Sequence, residues 1–346
     1  MRLDEIAIPV IGAGEALLQV LRLQPSITEV VGLGGSGLGA GQIAQASAAG
    51  NPLQLFGHEF SGRVIAVKAP SYGLGIGDRV GSLGRIPCGQ CRECRGRRAR
   101  YCSSGEMLGI TRPGCFAEMV AVPTKVLARI PDNVSDEEAA TLQPLASMTA
   151  SLRGLAPAIR GGGVAVLGLG LMGLLAVQVL AAYGAARVIG VSSRRQAVEA
   201  CRELGIEAHH LPTDASLLRR LDSCCQAVID CSGMAQLPGL ARNTAGLAAD
   251  LARPGGTIVQ VALYTEPLLL DTAPLKRKCV TYQLPQFSTR SDLSMAASMV
   301  SSGQVRVKPL LTRAVHGLDQ LPLAFEMTLA KSSEKLVGPI QVEVSG

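Results

Sequence analysis

A chain of 346 residues is long enough for two domains that each bury a hydrophobic core. Its 47% hydrophobic and 17% charged residues exclude a disordered or fibrous protein and indicate a compact α/β protein. The net charge is only +6 and Trp is absent, so the composition argues against a protein dedicated to binding nucleic acid.

The first part of the chain, residues 1–146, predicts an irregular and mostly antiparallel β domain. Runs of β-type residues between turn signals mark its strands, at residues 16–23, 60–67, 78–82, 116–122 and 126–130. Residues 32–49 are rich in Gly, Ala, Ser and Gln without charge or periodicity, which predicts a flexible loop. No apolar segment with a cleavage site follows the N-terminus, so no export signal is expected.

Four of the ten cysteines crowd into residues 88–102, which predicts a zinc-binding lobe within this domain. The expected ligands are Cys88, Cys91, Cys94 and Cys102. Their C-x2-C-x2-C spacing disfavours disulfides between neighbours, and four thiolates suit a closed, structural zinc site. Chance thiols or disulfides are the alternative. The other cysteines lie in apolar stretches, so a reducing, cytoplasmic compartment is expected.

Five arginines between residues 92 and 100 form a local concentration of positive charge. A nucleic-acid patch could account for it, but a solvated face on a small lobe is the favoured interpretation. Residues 161–186 carry no charge, yet they begin with a strand and a glycine turn, which disfavours a membrane helix. We therefore expect a small-molecule substrate and neither a nucleic-acid nor a membrane partner.

Residues 147–287 alternate apolar strands with helical segments, the pattern of a parallel sheet covered by helices. The predicted strands are at residues 164–167, 188–191, 227–230 and 257–261, and the helices at residues 171–183 and 195–204. The sequence Arg-Pro-Gly-Gly at residues 253–256 predicts a turn before the last strand. Residues 288–346 predict a helix at 293–302 and a return to the first domain.

The segment Gly168-Leu169-Gly170-Leu171-Met172-Gly173 stands between a predicted strand and a predicted helix, the context of a dinucleotide-binding turn. Gly168 would allow the turn, Gly170 would let the backbone approach a pyrophosphate, and Gly173 would let the helix pack on the strand. A glycine-rich packing turn without a ligand is the alternative.

The segment Ser192-Ser193-Arg194-Arg195 follows the next predicted strand, where an NAD-dependent enzyme carries an acid for the ribose hydroxyls. Two hydroxyl and two guanidinium groups stand there instead, and such groups bind a 2′-phosphate. NADP(H) is therefore the predicted cofactor. A serine-capped helix N-terminus with exposed arginines is the structural alternative, and both interpretations can hold together.

Several motifs occur together in the order that one enzyme family shows. The segment Gly57-His58-Glu59-Phe60-Ser61-Gly62 precedes the cysteine lobe, and Gly114-Cys115-Phe116-Ala117-Glu118 and the glycine turn follow it. In these motifs the chain resembles the zinc-containing medium-chain dehydrogenase/reductases, and Gln143-Pro144-Leu145 is most similar to their polyol and ketose reductase branch. The resemblance implies a GroES-like catalytic domain around a Rossmann domain, an active site between them, and a homodimer or homotetramer.

The resemblance also implies where a catalytic zinc would bind. The family usually has Cys-Gly-Ser/Thr-Asp-x-His where this chain has residues 26–31, so Ser26 replaces a cysteine ligand and Val31 a histidine. Gln143 likewise replaces a glutamate near the metal. Because hydroxyl and amide groups bind zinc more weakly than thiolate and carboxylate groups, the catalytic zinc is predicted to be weak or absent.

Three further positions match the family's active site. Thr28 keeps the hydroxyl that contacts substrate, and His58 and Glu59 match the remaining metal-site positions. His58 and Glu59 could hold a weakly bound metal, or they could form a hydrogen-bonded pair beneath the cleft. Without metal, Ser26, Thr28 and His58 would orient and polarise the substrate through hydrogen bonds alone.

Together these features predict an NADP(H)-dependent oxidoreductase that transfers hydride between nicotinamide and a small alcohol or carbonyl compound. One alternative is zinc-independent reduction of an activated C=C or C=N bond, or a repurposed non-redox lyase or cyclase. The other is a non-catalytic structural or regulatory protein that binds the cofactor.

Overall fold

The computed structural model describes residues 3–33, 41, 56–211, 221, 223–234, 243–264, 267–285, 287–332 and 336–344. Within these residues the strands are β1 (Glu15–Leu23), β2 (Phe60–Val67), β3 (Arg79–Ser82), β4 (Arg85–Ile86), β5 (Glu106–Met107), β6 (Met119–Pro123), β7 (Leu127–Arg129), β8 (Gly163–Leu167), β9 (Arg187–Ser192), β10 (Glu207–His210), β11 (Cys225–Asp230), β12 (Ala252–Gln260), β13 (Thr281–Gln283), β14 (Arg313–His316) and β15 (Ile340–Glu343). The helices are α1 (Ile27–Leu33), α2 (Arg92–Arg95), α3 (Asp136–Ala139), α4 (Leu142–Leu152), α5 (Ala156–Ile159), α6 (Leu171–Ala182), α7 (Arg195–Glu203), α8 (Thr244–Leu251), α9 (Thr272–Arg277), α10 (Arg290–Ser301) and α11 (Leu321–Leu329).

A seven-stranded sheet combines strands from the beginning and the end of the chain. Its strands follow the order β14-β15-β1-β2-β3-β7, and β6 also pairs with β1. Strand β1 buries every second side chain, at Ala16, Leu18 and Val20, as expected for a strand with one face on a core. Strands β2, β6 and β15 all pair antiparallel with β1, so this strand holds the sheet together.

Six parallel strands form the second sheet, in the order β10-β9-β8-β11-β12-β13. In chain order this is 3-2-1-4-5-6, the arrangement of a dinucleotide-binding Rossmann sheet. Residues 164–167 of the central strand β8 are buried, and helices α6 and α8 pack against it. The predicted α/β fold with a parallel Rossmann sheet is confirmed. Strand order reverses between β8 and β11, and the carboxyl ends of these strands open the crevice where such sheets bind ligands.

The turn predicted at residues 253–256 lies inside β12. Strand β12 pairs with β11 on both sides of this segment, at Ala252 and again from Thr257, with a register shift between them. Gly255 takes a φ of +70°, a conformation that favours glycine. The Pro-Gly-Gly signal therefore marks an irregularity within a strand.

Two helices also differ from the sequence prediction. Helix α10 begins at Arg290, earlier than predicted, because Thr289 and Asp292 form a capping box around its first turn. The loop predicted at residues 32–49 starts within α1, and its residues 34–40 and 42–49 lie outside the described residues. None of the helices in the described part of the chain has the length and apolar composition needed to cross a bilayer.

Candidate functional site

The four lobe cysteines converge, as a structural zinc site requires. The sulfur atoms of Cys88, Cys91, Cys94 and Cys102 all lie within 4.8 Å of one another. The sulfur atoms of Cys88 and Cys94 are 3.9 Å apart, close to the roughly 3.8 Å that tetrahedral geometry gives for Zn–S bonds of about 2.3 Å. Cys91 caps the short helix α2, and Gly89 allows the preceding turn with a φ of +82°. The donor set and its spacing fit a zinc ion.

Backbone N–H groups prepare this lobe for metal binding. The N–H of Cys91 donates to the sulfur of Cys88 at 3.3 Å, and the N–H of Cys88 donates to the sulfur of Cys102 at 3.3 Å. Hydrogen bonds from the backbone of Gln90 and Cys91 lower the pKa of Cys88 to about 6. At least one ligand is therefore a thiolate at neutral pH, the form that binds zinc.

The cysteine position of the family motif is occupied by a helix cap. The N–H of Ser26 donates to Glu29 Oε2 at 2.8 Å, and Ser26 Oγ accepts the N–H of Glu29 at 3.4 Å. These two bonds form a capping box at the start of α1, which the Ser-x-x-Glu spacing encodes. The hydroxyl of Ser26 also donates to Glu29. Ser26 is thus engaged by its own helix.

Glu29 also contacts His58, and both side chains are buried. Burial opposes charge on the imidazole, but the carboxylate of Glu29 outweighs it and raises the pKa of His58 to about 9. Burial also opposes charge on Glu29, but His58 and Ser26 together lower the pKa of this carboxyl. His58 and Glu29 therefore form a buried ion pair at neutral pH.

Glu59 is held by a different set of polar groups. Gln24 Nε2 donates to Glu59 Oε2 at 2.5 Å, and Gln24 Oε1 accepts hydrogen bonds from Thr141 at 3.2 Å and Gln341 at 3.1 Å. Burial raises the pKa of Glu59 to about 7, although His58 and Gln24 favour its charged form. This network ties Glu59 to β15 and to the residue before α4.

The other two predicted active-site residues lie on helices. Thr28 is half-buried in the first turn of α1, where its N–H donates to Ser26 Oγ at 3.2 Å. Gln143 lies in the first turn of α4, and its amide donates to Ser147 Oγ at 3.3 Å. Among the hydrogen bonds of the described residues, Gln143 makes none with His58 or Glu59, so the structure does not join it to that pair.

These residues do not fit a catalytic zinc of the family type. The neutral Ser26 hydroxyl donates to Glu29, Nδ1 of His58 contacts Glu29, and Glu59 accepts a hydrogen bond from Gln24. Within the described residues, His, Cys, Asp and Glu side chains form one group with the spacing of a metal site, and it is the cysteine lobe.

The three glycines of the predicted dinucleotide turn differ in what requires them. Gly168 has a φ of +89°, and a Cβ there would lie 2.7 Å from the Cα of Ser232. A Cβ on Gly173 would lie 1.9 Å from the carbonyl oxygen of Gly168. Gly170, the N-cap of α6, has a φ of −74°, and a Cβ there would have only Arg194 Nη2 within 4 Å, at 3.7 Å. Packing therefore requires glycine at 168 and 173, but not at 170.

The side chains and backbone groups of residues 192–195, the predicted NADP(H) segment, make separate contacts. Ser192 is buried at the end of β9, and its hydroxyl accepts the N–H of Arg194 at 3.2 Å. The carbonyl oxygen of Ser193 lies 3.0 Å from Nε2 of His210. Arg194 turns back over the glycine turn, where Nη1 donates to the carbonyl of Leu336 at 3.2 Å. Arg195, the first residue of α7, is exposed.

A lysine without a motif lies near these sites. Lys331 follows α11, which packs on α1, and its carbonyl accepts the N–H of Leu336 at 3.1 Å. Burial lowers the pKa of Lys331 to about 8, with Glu59 favouring and Arg194 opposing its charge. The charge of Lys331 therefore interacts with Glu59, which precedes β2, and with Arg194, which follows β9.

Comparison with known proteins identifies the family. The model of the alcohol dehydrogenase GroES-like domain matches residues 28–132, and the model of the zinc-binding dehydrogenase matches residues 172–302. The chain belongs to the zinc-type medium-chain alcohol dehydrogenase-like family. The resemblance found in the sequence is confirmed.

Curated relatives of this family member include threonine dehydrogenases. L-threonine 3-dehydrogenase of Escherichia coli K12 is 37% identical over 152 residues, which cover 44% of this chain and 44% of that enzyme. The enzyme of the same name from Legionella pneumophila strain Philadelphia 1 is 31% identical over 205 residues, 59% of this chain and 57% of that enzyme. The matched segments thus span about half the length of these curated relatives.

Solved structures match over nearly the whole chain. A zinc-binding dehydrogenase from Sinorhizobium meliloti 1021, solved with bound NADP, has a TM-score of 0.82 and 25% identity, covering 98% of this chain and 94% of that one. Galactitol-1-phosphate dehydrogenase of Escherichia coli has a TM-score of 0.82 and 22% identity, covering 99% of this chain and 96% of that one. The second likeness shows the fold alone.

We predict that Cys91→Ser removes the lobe's zinc and lowers the melting temperature by about 5 °C or more, because metal binding is coupled to folding of the lobe. Metal analysis and thermal unfolding measure the two effects. Cys279→Ser, which replaces an exposed cysteine outside the lobe, is the matched control and should change neither. Retention of one zinc per chain by Cys91→Ser would contradict the assignment.

We predict that Glu29→Gln destabilises the protein by about 2–4 kcal/mol at pH 6, because it leaves His58 buried without its carboxylate. The pKa of His58 rises from 6.5 to about 9 on folding, so the ion pair stabilises fully below pH 6.5 and its contribution is lost as the pH rises through 9. The difference in unfolding free energy between the wild type and Glu29→Gln should therefore shrink from pH 6 to pH 9.5. Glu137→Gln should show a smaller effect, because the Glu137 side chain is 41% exposed and its partner Arg22 keeps an ion pair with Glu343. An unchanged difference across this range would count against the pair.

Proposed function

We propose that this protein is an NADP(H)-dependent oxidoreductase that transfers hydride between the nicotinamide and a small alcohol or carbonyl compound, without a tightly bound zinc in the cleft. The dehydrogenase names of its relatives and the NADP in a structural neighbour support the reaction class and the cofactor. The predicted homodimer or homotetramer and the cytoplasmic location remain predictions.

The proposal depends most on the conformation and surroundings of Gly170. Its φ is accessible to any residue and the space around its missing Cβ is open, so the fold by itself does not require glycine there. A ligand whose phosphates approach the backbone at the N-terminus of α6 would require it. This favours a dinucleotide turn over the alternative of a packing turn without a ligand.

The reaction divides between cofactor and chain. When bound, the nicotinamide supplies or accepts the hydride, and the protein supplies orientation and electrostatics. The protonated imidazole of His58, fixed by Glu29, is a hydrogen-bond donor suited to a substrate oxygen that gains negative charge. Thr28 supplies a half-buried hydroxyl in the first turn of α1 for substrate positioning. The hydroxyl of Ser26 donates to Glu29 and helps to fix that carboxylate.

A second candidate is zinc-independent reduction of an activated C=C or C=N bond. The donor set at Ser26, His58 and Glu59 favours it, because such a substrate is already activated and needs no metal on a carbonyl oxygen. Steady oxidation of NADPH with enones or imines, but not with simple ketones or aldehydes, would select this candidate.

We predict that Gly170→Ala weakens NADPH binding at least tenfold while the melting temperature stays unchanged or rises slightly, because a methyl group fits the apo structure and restricts the unfolded chain. Fluorescence titration and thermal unfolding give the two values. Gly173→Ala is the contrasting variant and should lose stability, since its Cβ would meet the carbonyl of Gly168. Normal NADPH affinity in Gly170→Ala would overturn the proposed cofactor site.

We also predict close to one zinc per purified chain, resistant to mild chelation. Ser26→Cys should raise the zinc content toward two, because it supplies a thiolate beside His58 and Glu59. Ser302→Cys, an exposed position at the end of α10, is the control and should stay near one. Two chelation-resistant zinc ions in the unmodified protein would return it to the metal-assisted alcohol dehydrogenases.

A further inference from the structure

Arg194 and Arg195, which follow β9, lie in different environments, although the sequence pattern predicts the same role for both. Arg194 is half-buried, with Nη2 3.7 Å from the Cβ position of Gly170 and Nη1 bonded to the carbonyl of Leu336. Arg195 is exposed at the first position of α7. A 2′-phosphate lies on the adenosine ribose beyond the end of the second strand, whereas the diphosphate lies at the glycine turn. The guanidinium of Arg194 therefore occupies the neighbourhood of the diphosphate.

Among the residues that the structure describes, positive charge accumulates around Arg194. Lys331 is close enough for the two charges to oppose each other, and its favourable partner is Glu59 of the other sheet. Burial disfavours the charge on Arg194 and lowers its pKa. The backbone carbonyl of Leu336 accepts a hydrogen bond from one nitrogen of the guanidinium, but this neutral group does not offset the positive charge of Arg194. Arg194 Nη2 lies beside Gly170, the N-cap of the twelve-residue helix α6, and Leu336 joins Arg194 to the backbone of Lys331. An anion at this helix N-terminus would stabilise both cations.

We propose that Arg194 and Lys331 bind the diphosphate of the dinucleotide from the two sides of the cleft, and that discrimination between NADPH and NADH depends on Arg195 with Ser193. The inference rests on the proposed function, because it assigns roles within the same cofactor site. It separates the two arginines that the sequence alone assigns jointly to the 2′-phosphate.

The contact with Leu336 gives this arrangement a second consequence. Arg194 belongs to the Rossmann sheet, while Lys331 and Leu336 belong to the segment between α11 and β15, a strand of the other sheet. A diphosphate between Arg194 and Lys331 would bridge both parts of the molecule. Either form of the dinucleotide would supply that bridge, since both contain the diphosphate.

The test compares four ligands in variants of the full-length protein, by fluorescence or calorimetric titration. Arg194→Ala should weaken NADPH, NADH and ADP by similar factors of about tenfold, the loss of one charge-assisted hydrogen bond, and should leave 2′-AMP unchanged. Lys331→Met should show the same pattern. Arg195→Ala should weaken NADPH and 2′-AMP about tenfold and leave NADH and ADP within twofold.

The outcomes separate the inference from the proposed function. If Arg194→Ala weakens NADPH tenfold but leaves NADH and ADP unchanged, Arg194 binds the 2′-phosphate and the inference fails while the cofactor assignment stands. If the wild-type protein binds none of the four ligands, the proposed function fails. Should Arg194→Ala not fold, Arg194→Lys keeps the charge without the fork, and Arg195→Ala still tests the selectivity: an unchanged NADPH to NADH ratio would overturn the inference.

Discussion

The carboxylate of Glu29 organises the catalytic half of this molecule. It accepts both the N–H and the hydroxyl of Ser26, which starts helix α1, and it contacts His58, which stays protonated in a buried position. Breaking such a buried pair costs more than a surface pair because the remaining charge has no solvent to stabilise it. The orientation of His58, and with it the proposed oxygen-polarising donor, therefore depends on a residue that makes the helix cap.

The two halves are stabilised in different ways. In the first, polar networks dominate: Gln24 joins Glu59, Thr141 and Gln341, so the carboxylate under the cleft is fixed by groups from three distant parts of the chain. In the second, tight glycine packing dominates: the glycine turn permits α6 to lie on β8, and a Cβ on Gly173 would lie 1.9 Å from the carbonyl oxygen of Gly168. Only Gly170 is free of that packing, which is why its role is assigned to a ligand.

The sequence predicted the repetitive features of this fold better than its individual contacts. Alternation in β1 and the β-α repeats followed from local periodicity, and the cysteine spacing predicted a group of sulfur atoms that the structure does bring together. The sequence did not mark Glu29 as a functional residue, although the Ser-x-x-Glu spacing predicts a capping box. Its contact with His58 joins two segments that are distant in sequence, and no local pattern indicates it. No local signal marks Lys331 or the turn of Arg194 toward Leu336, because tertiary packing alone determines both.

The charges of the cleft residues support the proposal that no divalent cation is bound tightly there. Two carboxylates, Glu29 and Glu59, face two cations, His58 and Lys331, and burial keeps Glu59 close to half-protonated near neutral pH. A zinc ion added to this set would bring two further positive charges. The family's cysteine thiolate and glutamate carboxylate, which would offset them, are replaced here by Ser26 and Gln143. A thiolate at residue 26 would supply one of the missing negative charges, but it would also remove the hydroxyl that donates to Glu29. In the proposed mechanism, a protonated His58 and a metal ion are alternative ways to polarise the substrate oxygen, and the contact with Glu29 favours the proton.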